Sequence, residues 1–130
     1  MSMRTALVTG ASRGIGRACA LALASAGHRV VLAARSAEKL AEVAKEIGTE
    51  NYILEMDLAN RDSITNDIAQ AAKDFGRIDV LVNNAGIAKD GLAVRMKQAD
   101  WEAVLSTNLS GAFYAIQQVL QGMILVRYFK

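Results

Sequence analysis

Thr9-Gly10-Ala11-Ser12-Arg13-Gly14-Ile15-Gly16 follows the apolar run Ala6-Leu7-Val8 and leads into a helix-like stretch that begins near Ile15. A strand that turns sharply into a helix needs residues without a Cβ at the bend, and again wherever a pyrophosphate must come close to the main chain. Gly10, Gly14 and Gly16 meet that need. The free N–H groups and positive dipole end of the following helix then face an anion, so little dedicated side-chain charge is required. Similar glycine spacing occurs in tight turns that hold nothing, and here it runs T-G-x-x-x-G-x-G rather than G-x-G-x-x-G. The strand, loop and helix setting is what favours a dinucleotide.

Working outward, short β-rich apolar runs alternate with longer helical patterns, the mark of βαβ units and a parallel sheet covered on both faces. The first strand is Thr5–Thr9, and Ile15, Cys19, Leu23 and Ala26 recur behind it at helical spacing until Gly27. The second strand is Arg29–Ala34, after which Ser36 can cap a helix carrying Leu40, Val43, Ala44 and Ile47 on one face and ending at Gly48. A third strand falls around residues 52–56, and the next helix carries Ile64, Ile68, Ala71 and Phe75 before Gly76. Residues 78–82 read as a fourth strand. A last helix begins near Asp100 and runs through Trp101, Val104, Leu105, the stretch 108–111 and on to Met123. Right-handed crossovers then predict an α/β, Rossmann-like, doubly wound parallel sheet ordered 3-2-1-4, with a ligand at the carboxyl ends of strands one and four.

Composition narrows the partners. A chain of 130 residues, 52% hydrophobic and 22% charged, suits one core-forming domain. A net charge of +2, with lysines and arginines dispersed, gives no nucleic-acid surface and no polybasic membrane anchor. No segment is long enough to span a bilayer. The single cysteine, Cys19, cannot form an internal disulfide, and no charged-then-apolar leader precedes the first strand, so a cytoplasmic location is expected. Cys19 is expected to pack, His28 to sit in a solvated turn, and Trp101 to anchor the last helix. No His, Cys or carboxylate cluster has metal-ligand spacing, so no metal is expected.

Strand four runs directly into Asn83-Asn84-Ala85-Gly86, a second polar, glycine-containing turn beside the first. Alone it would be a strand-ending turn whose asparagines bond nearby backbone. Together with Thr9 to Gly16, with Asp57-Leu58 after strand three, and with Asn108 in Thr107-Asn108-Leu109-Ser110-Gly111, it resembles the short-chain dehydrogenase/reductase family. Within that family the chain is most similar to the bacterial 3-oxoacyl-acyl carrier protein reductases. The resemblance implies Ser12 and Ile15 near ribose and pyrophosphate, Asp57 and Leu58 around adenine, and Asn84, Ala85 and Gly86 along the central wall. Asn83 would brace the strands. Asn108 would kink the long helix and hold a water in the proton relay, which makes it the one candidate catalytic residue; a purely structural role stays open.

Cofactor choice follows from charge. An acid at the end of strand two would bond the ribose 2′-OH of NAD and repel the 2′-phosphate of NADP. Here that place reads Ala34-Arg35-Ser36, and Arg35, with Arg13 from the glycine loop, can offer charge-assisted bonds to a phosphate, so NADP (NADPH) is expected.

The family's Ser, Tyr and Lys lie in later elements, and Tyr-x-x-x-Lys is not found in these 130 residues: Tyr114 is followed at that spacing by Gln118, and Tyr128 only by Phe129 and Lys130. Together with the lack of proline, this leads us to expect the amino-terminal half of a reductase: residues 1–123 as the dinucleotide-binding half and 124–130 as an atypical apolar tail. A homo-oligomer formed through strand four's edge, the last helix or that tail is expected, with a carbonyl substrate if active. The alternatives are a noncatalytic NADP-binding or oligomer-forming module, or an enzyme active only when another chain supplies catalytic groups.

Overall fold

The computed structural model describes residues 3–48, 50–87 and 89–129, with the side chains of 125–129 left outside the description. Four parallel strands, β1 (Thr5–Thr9), β2 (Arg29–Ala34), β3 (Asn51–Glu55) and β4 (Val80–Val82), form one sheet ordered β3-β2-β1-β4. The order expected from the sequence is the order observed. All five residues of β1 are buried, because β1 is paired on both edges and covered on both faces. β4 pairs only with β1, through Ala6–Val80, Leu7–Leu81 and Val8–Val82, and its residues are half-buried.

Five helices follow the strands: α1 (Gly14–Ser25), α2 (Ala37–Ile47), α3 (Arg61–Phe75), α4 (Gln98–Leu105) and α5 (Gly111–Phe129). Strand alternation splits the core in two. Val8, Val30 and Leu32 meet Ala20 of α1 and Leu40 and Val43 of α2 on one face. Leu7, Val31, Ala33 and Leu54 meet Ile64, Ile68 and Ala71 of α3 and Ala115 and Val119 of α5 on the other. Helices therefore cover both faces, as a doubly wound sheet requires.

The local signals act as their chemistry dictates. Ser36 Oγ accepts from Lys39 N at 3.4 Å at the start of α2, and Asn60 Oδ1 accepts from Ser63 N at 3.0 Å at the start of α3. Gly48 ends α2 in a left-handed conformation, and Gly76 follows α3.

Several expectations need correction. The buried face of α1 is Gly16 and Ala20, with Cys19, Leu23 and Ala24 packed at its margin, whereas Ile15 is 75% exposed and Ala26 is exposed. Small residues win the core position because α1 lies close against the loop before it. β3 starts and ends one residue early, and β4 covers only three residues because Ile78 is buried ahead of the strand rather than in it. The last helix runs on from α4 into α5 through a π turn at Ser106–Ser110, where the kink at Asn108 is expected, and a short 3-10 turn at Ala93–Arg95 precedes α4. Trp101 is 56% exposed and α4 buries no residue, so the expected anchor of the last helix is not a buried one. His28 does lie in the connection after α1, partly exposed, and its Nδ1 accepts from Arg4 N at 3.1 Å. The backbone of α5 runs on through Phe129, and expectations about the side chains of 125–130 lie outside the described residues.

Candidate functional site

The loop from Gly10 to Arg13 joins β1 to α1 at the carboxyl end of the sheet, where β2 ends alongside it and Ala11 N donates to Ala33 O at 3.2 Å. Its glycines serve different needs. Gly10 (φ 63°) and Gly14 (φ 57°) adopt the left-handed conformation that a Cβ disfavours. Gly16 is required by proximity instead: a Cβ there would lie 2.1 Å from Gly10 O and 2.5 Å from Asn84 Nδ2. A Cβ on Gly10 would sit 2.9 Å from the same amide nitrogen and 2.9 Å from Ala85 Cα. The Asn84 side chain thus occupies the notch that the two missing methyl groups leave, and its Nδ2 donates to Gly10 O at 3.3 Å.

Thr9 completes the lock. Its hydroxyl donates to Val82 O at 3.3 Å and accepts from Asn84 N at 3.1 Å and Ala85 N at 3.0 Å. Thr9 is 1% exposed, so these bonds also satisfy a hydroxyl that burial would otherwise penalise. This corrects the bracing role given to Asn83: Asn83 is exposed, and the bonds between the two loops run through Thr9 and Asn84. Sequence reasoning gave Thr9 no role. The available signal was a threonine ending a central strand, whose buried hydroxyl must find partners.

The start of α1 is built to receive an anion. The first intrahelical bond runs from Arg17 N to Arg13 O at 3.2 Å, so the amides of Gly14, Ile15 and Gly16 precede the helix's own bonding. The N-cap residue, Arg13, makes no capping bond, and no acidic residue stands in the first turn. The open space around Gly14, where a Cβ would meet nothing within 4 Å, leaves room on that side. These features fit a phosphate group. Arg17, one turn in, is held by Glu46 at the far end of α2; that hydrogen bond keeps the Glu46 carboxyl below its ordinary range and raises the Arg17 guanidinium.

The remaining expected residues gather at the same end of the sheet. Arg13 and Arg35 are exposed, and Ser36 is half-buried with its hydroxyl engaged as the α2 cap. Ser12 is half-buried. Asp57 Oδ1 accepts from Ala59 N at 2.9 Å, which fixes the turn after β3. Leu58 turns its side chain into the core and is 8% exposed, so only its backbone can face a ligand. Asn108 lies in the π turn, where Oδ1 accepts from Ile87 N at 2.8 Å and Nδ2 donates to Ile87 O at 2.9 Å. This paired contact clips the loop after β4 to the helix, and Gly86 is small enough to pass, a Cβ there lying 3.1 Å from Asn108 Oδ1. Tyr114 packs against the α3–α5 core, with the Arg61 guanidinium 4.8 Å from its ring centroid.

Among the described residues no group of three or more His, Cys, Asp and Glu could hold a metal ion. No described helix is long and apolar enough to cross a membrane.

A glycine loop at a helix start, locked to an asparagine-glycine turn across a parallel sheet, defines a Rossmann-like fold of the dinucleotide-binding kind. The short chain dehydrogenase family model matches residues 4–128, and the chain belongs to that family. It is 46% identical over 125 residues to the 3-oxoacyl-[acyl-carrier-protein] reductase FabG of Staphylococcus epidermidis, covering 93% of this chain and 51% of that protein. It is 45% identical over 128 residues to the 3-oxoacyl-[acyl-carrier-protein] reductase of a Synechocystis species, covering 95% and 52%. The chain spans about half the length of the curated relatives it matches. Among solved structures, a metagenomic short-chain oxidoreductase in complex with NADP superposes with a TM-score of 0.93 at 41% identity, over 98% of this chain and 59% of that one. An alcohol dehydrogenase from Thermococcus sibiricus complexed with 5-hydroxy-NADP gives 0.90 at 32% identity, over 97% and 55%.

Proposed function

We propose that this chain forms the nucleotide-binding half of an NADPH-dependent carbonyl reductase of the 3-oxoacyl-acyl carrier protein type. The observation that carries the proposal is the uncapped start of α1, whose free amides face the loop that Asn84 and Thr9 hold in place. Gly10, Gly14 and Gly16 let the backbone approach the pyrophosphate, with Ser12 and Ile15 beside it. Asp57 and the Leu58 backbone border the adenine, and Asn84, Ala85 and Gly86 form the central wall. When bound, the nicotinamide would supply a hydride for a carbonyl carbon.

NADP is preferred to NAD because Arg35, followed by Ser36, ends β2 where a carboxylate would repel the 2′-phosphate, and Arg13 is exposed in the adjoining loop. Asn108 would serve the proton relay of the whole enzyme from the π turn, where its side chain is committed to Ile87. Tyr-x-x-x-Lys is not present in residues 1–130, and Tyr114 packs in the core, so carbonyl reduction needs a proton donor beyond these residues. Residues 1–130 by themselves act as a nucleotide-binding module.

Titration of NADPH fluorescence tests the binding. Arg35→Asp should weaken NADPH by roughly tenfold or more while changing NADH little. Equal weakening of both nucleotides would remove the phosphate assignment, and turnover of a 3-oxoacyl thioester by the purified 130-residue chain would contradict the module reading.

A further inference from the structure

The π turn touches both sides of the candidate cleft. Asn108 holds Ile87, on the side of the β4 turn. Three residues on, Gly111 begins α5 against the turn after β3: a Cβ on Gly111 would lie 2.5 Å from Leu58 O and 3.2 Å from Leu58 Cβ. The first of these contacts is with backbone, which cannot rotate aside. Gly111 is buried, and the residues that seat α5, Ala115 and Val119, are buried in the core beside Leu58.

We propose that Gly111 is a positioning residue for nucleotide binding, setting the Asp57-Leu58 turn by contact with the Leu58 carbonyl; the proposal rests on the assignment of that turn to the adenine side. A methyl group at 111 must move Leu58 O or lift α5. The paired Asn108–Ile87 contact and the buried Ala115 and Val119 resist lifting. The turn has room to shift outward: Asp57, Ala59 and Asn60 are exposed, and apart from the buried Leu58 side chain its bonds are local ones that move with it, Asp57 Oδ1 accepting from Ala59 N and Asn60 Oδ1 from Ser63 N. The displacement therefore falls on the surface that meets adenine. A contact surface displaced by more than about half an ångström loses its fit to a rigid ligand.

The test separates the two ends of the nucleotide. Gly111→Ala should weaken NADPH and 2′,5′-ADP by roughly tenfold each, and reduced nicotinamide mononucleotide by less than about twofold. Gly122→Ala on the same helix is the control, since its Cβ would meet only the Arg77 side chain, at 3.2 Å, and it should leave all three affinities unchanged. Equal losses for both fragments, or unchanged 2′,5′-ADP binding, would overturn the proposal while leaving the nucleotide assignment standing. A wild-type chain that binds neither NADPH nor 2′,5′-ADP overturns that assignment and this proposal with it. If Gly111→Ala does not fold, hydrogen exchange of the wild-type chain decides. Joint slowing of residues 56–60 and 106–112 on adding 2′,5′-ADP supports the coupling, and slowing confined to 56–60 overturns it.

Discussion

The amino-terminal ends of α1 and of α2 and α3 lie at the same end of one sheet, yet they are finished in opposite ways. α2 and α3 carry side-chain caps, Ser36 and Asn60, and an acid in the first turn, Glu38 and Asp62. α1 has neither: its N-cap position holds an arginine with no capping bond. At the first two ends a side chain takes up one free amide and an acid faces the positive pole. The third leaves its positive pole open, and the two glycines nearest the opening keep side chains away from it. Function is therefore visible here as a local stability device that has been left out, in the one helix whose start faces the Asn84 turn.

The largest effect expected from disturbing this contrast is at Gly16. Gly16→Val places a side chain against Gly10 O and the Asn84 amide, and should cost more than about 3 kcal/mol, with nucleotide binding lost. Gly14→Ala, where only backbone conformation opposes the methyl group, should cost about 1 kcal/mol; denaturant melts of the two variants side by side measure the difference. Comparable costs would mean that α1 does not pack on the loop as described.

A sharper test converts α1 into a helix like its neighbours. Arg13→Asp supplies the missing cap and should stabilise the fold by about 0.5–1 kcal/mol while lowering affinity for NADH by roughly tenfold and for NADPH by more, because it also sets a carboxylate against the 2′-phosphate. Loss of NADPH binding alone would locate the effect at the 2′-phosphate instead. In the reverse direction, Asn60→Ala and Ser36→Ala should each remove about 1 kcal/mol from the melting free energy.

The smallest effect is the pH response of the Arg17–Glu46 pair, which ties the first turn of α1 to the end of α2. The folded Glu46 carboxyl titrates below its unfolded value, so its contribution is present above the ordinary glutamate range and fades as pH falls through the lowered folded value. Thermal melts of the wild type and Glu46→Gln should differ at neutral pH and converge once the pH has fallen below the lowered folded value. A gap that persists at that pH would show that packing, not charge, joins the two residues.

Much of this was legible in the chain itself. Strand order, the limits of β1 and β2, the Ser36 cap and both sides of the core follow from periodicity and turn chemistry, whereas the Asn60 cap is not anticipated. What escaped depends on distant neighbours. Ile15 fits the apolar spacing of α1, but the buried stripe is set by the loop that Gly16 must touch. Leu58 looks like part of a binding turn, yet the arrival of α5 draws its side chain inward. The work given to Asn83 is done by Asn84 and Thr9, a distinction of one residue that only the direction of each side chain decides. The π turn is signalled only through the resemblance, as the kink expected at Asn108; its periodicity gives no sign that Asn108 reaches Ile87 there while Ala115 and Val119 stay in the core.

The pairing of β1 with β4 has a kinetic meaning as well. Thr9 meets its bonding partners in the β4 turn across 73 to 76 residues of chain, whereas β1 with β2 closes a far shorter loop. Closing the longer loop costs more entropy, and the contacts that repay it arrive late. The glycine loop can therefore form on an early three-stranded core while the cleft itself assembles last, when β4 docks. A ligand that spans both loops then acts as a latch on the final step, slowing the loss of β4 far more than it hastens its arrival.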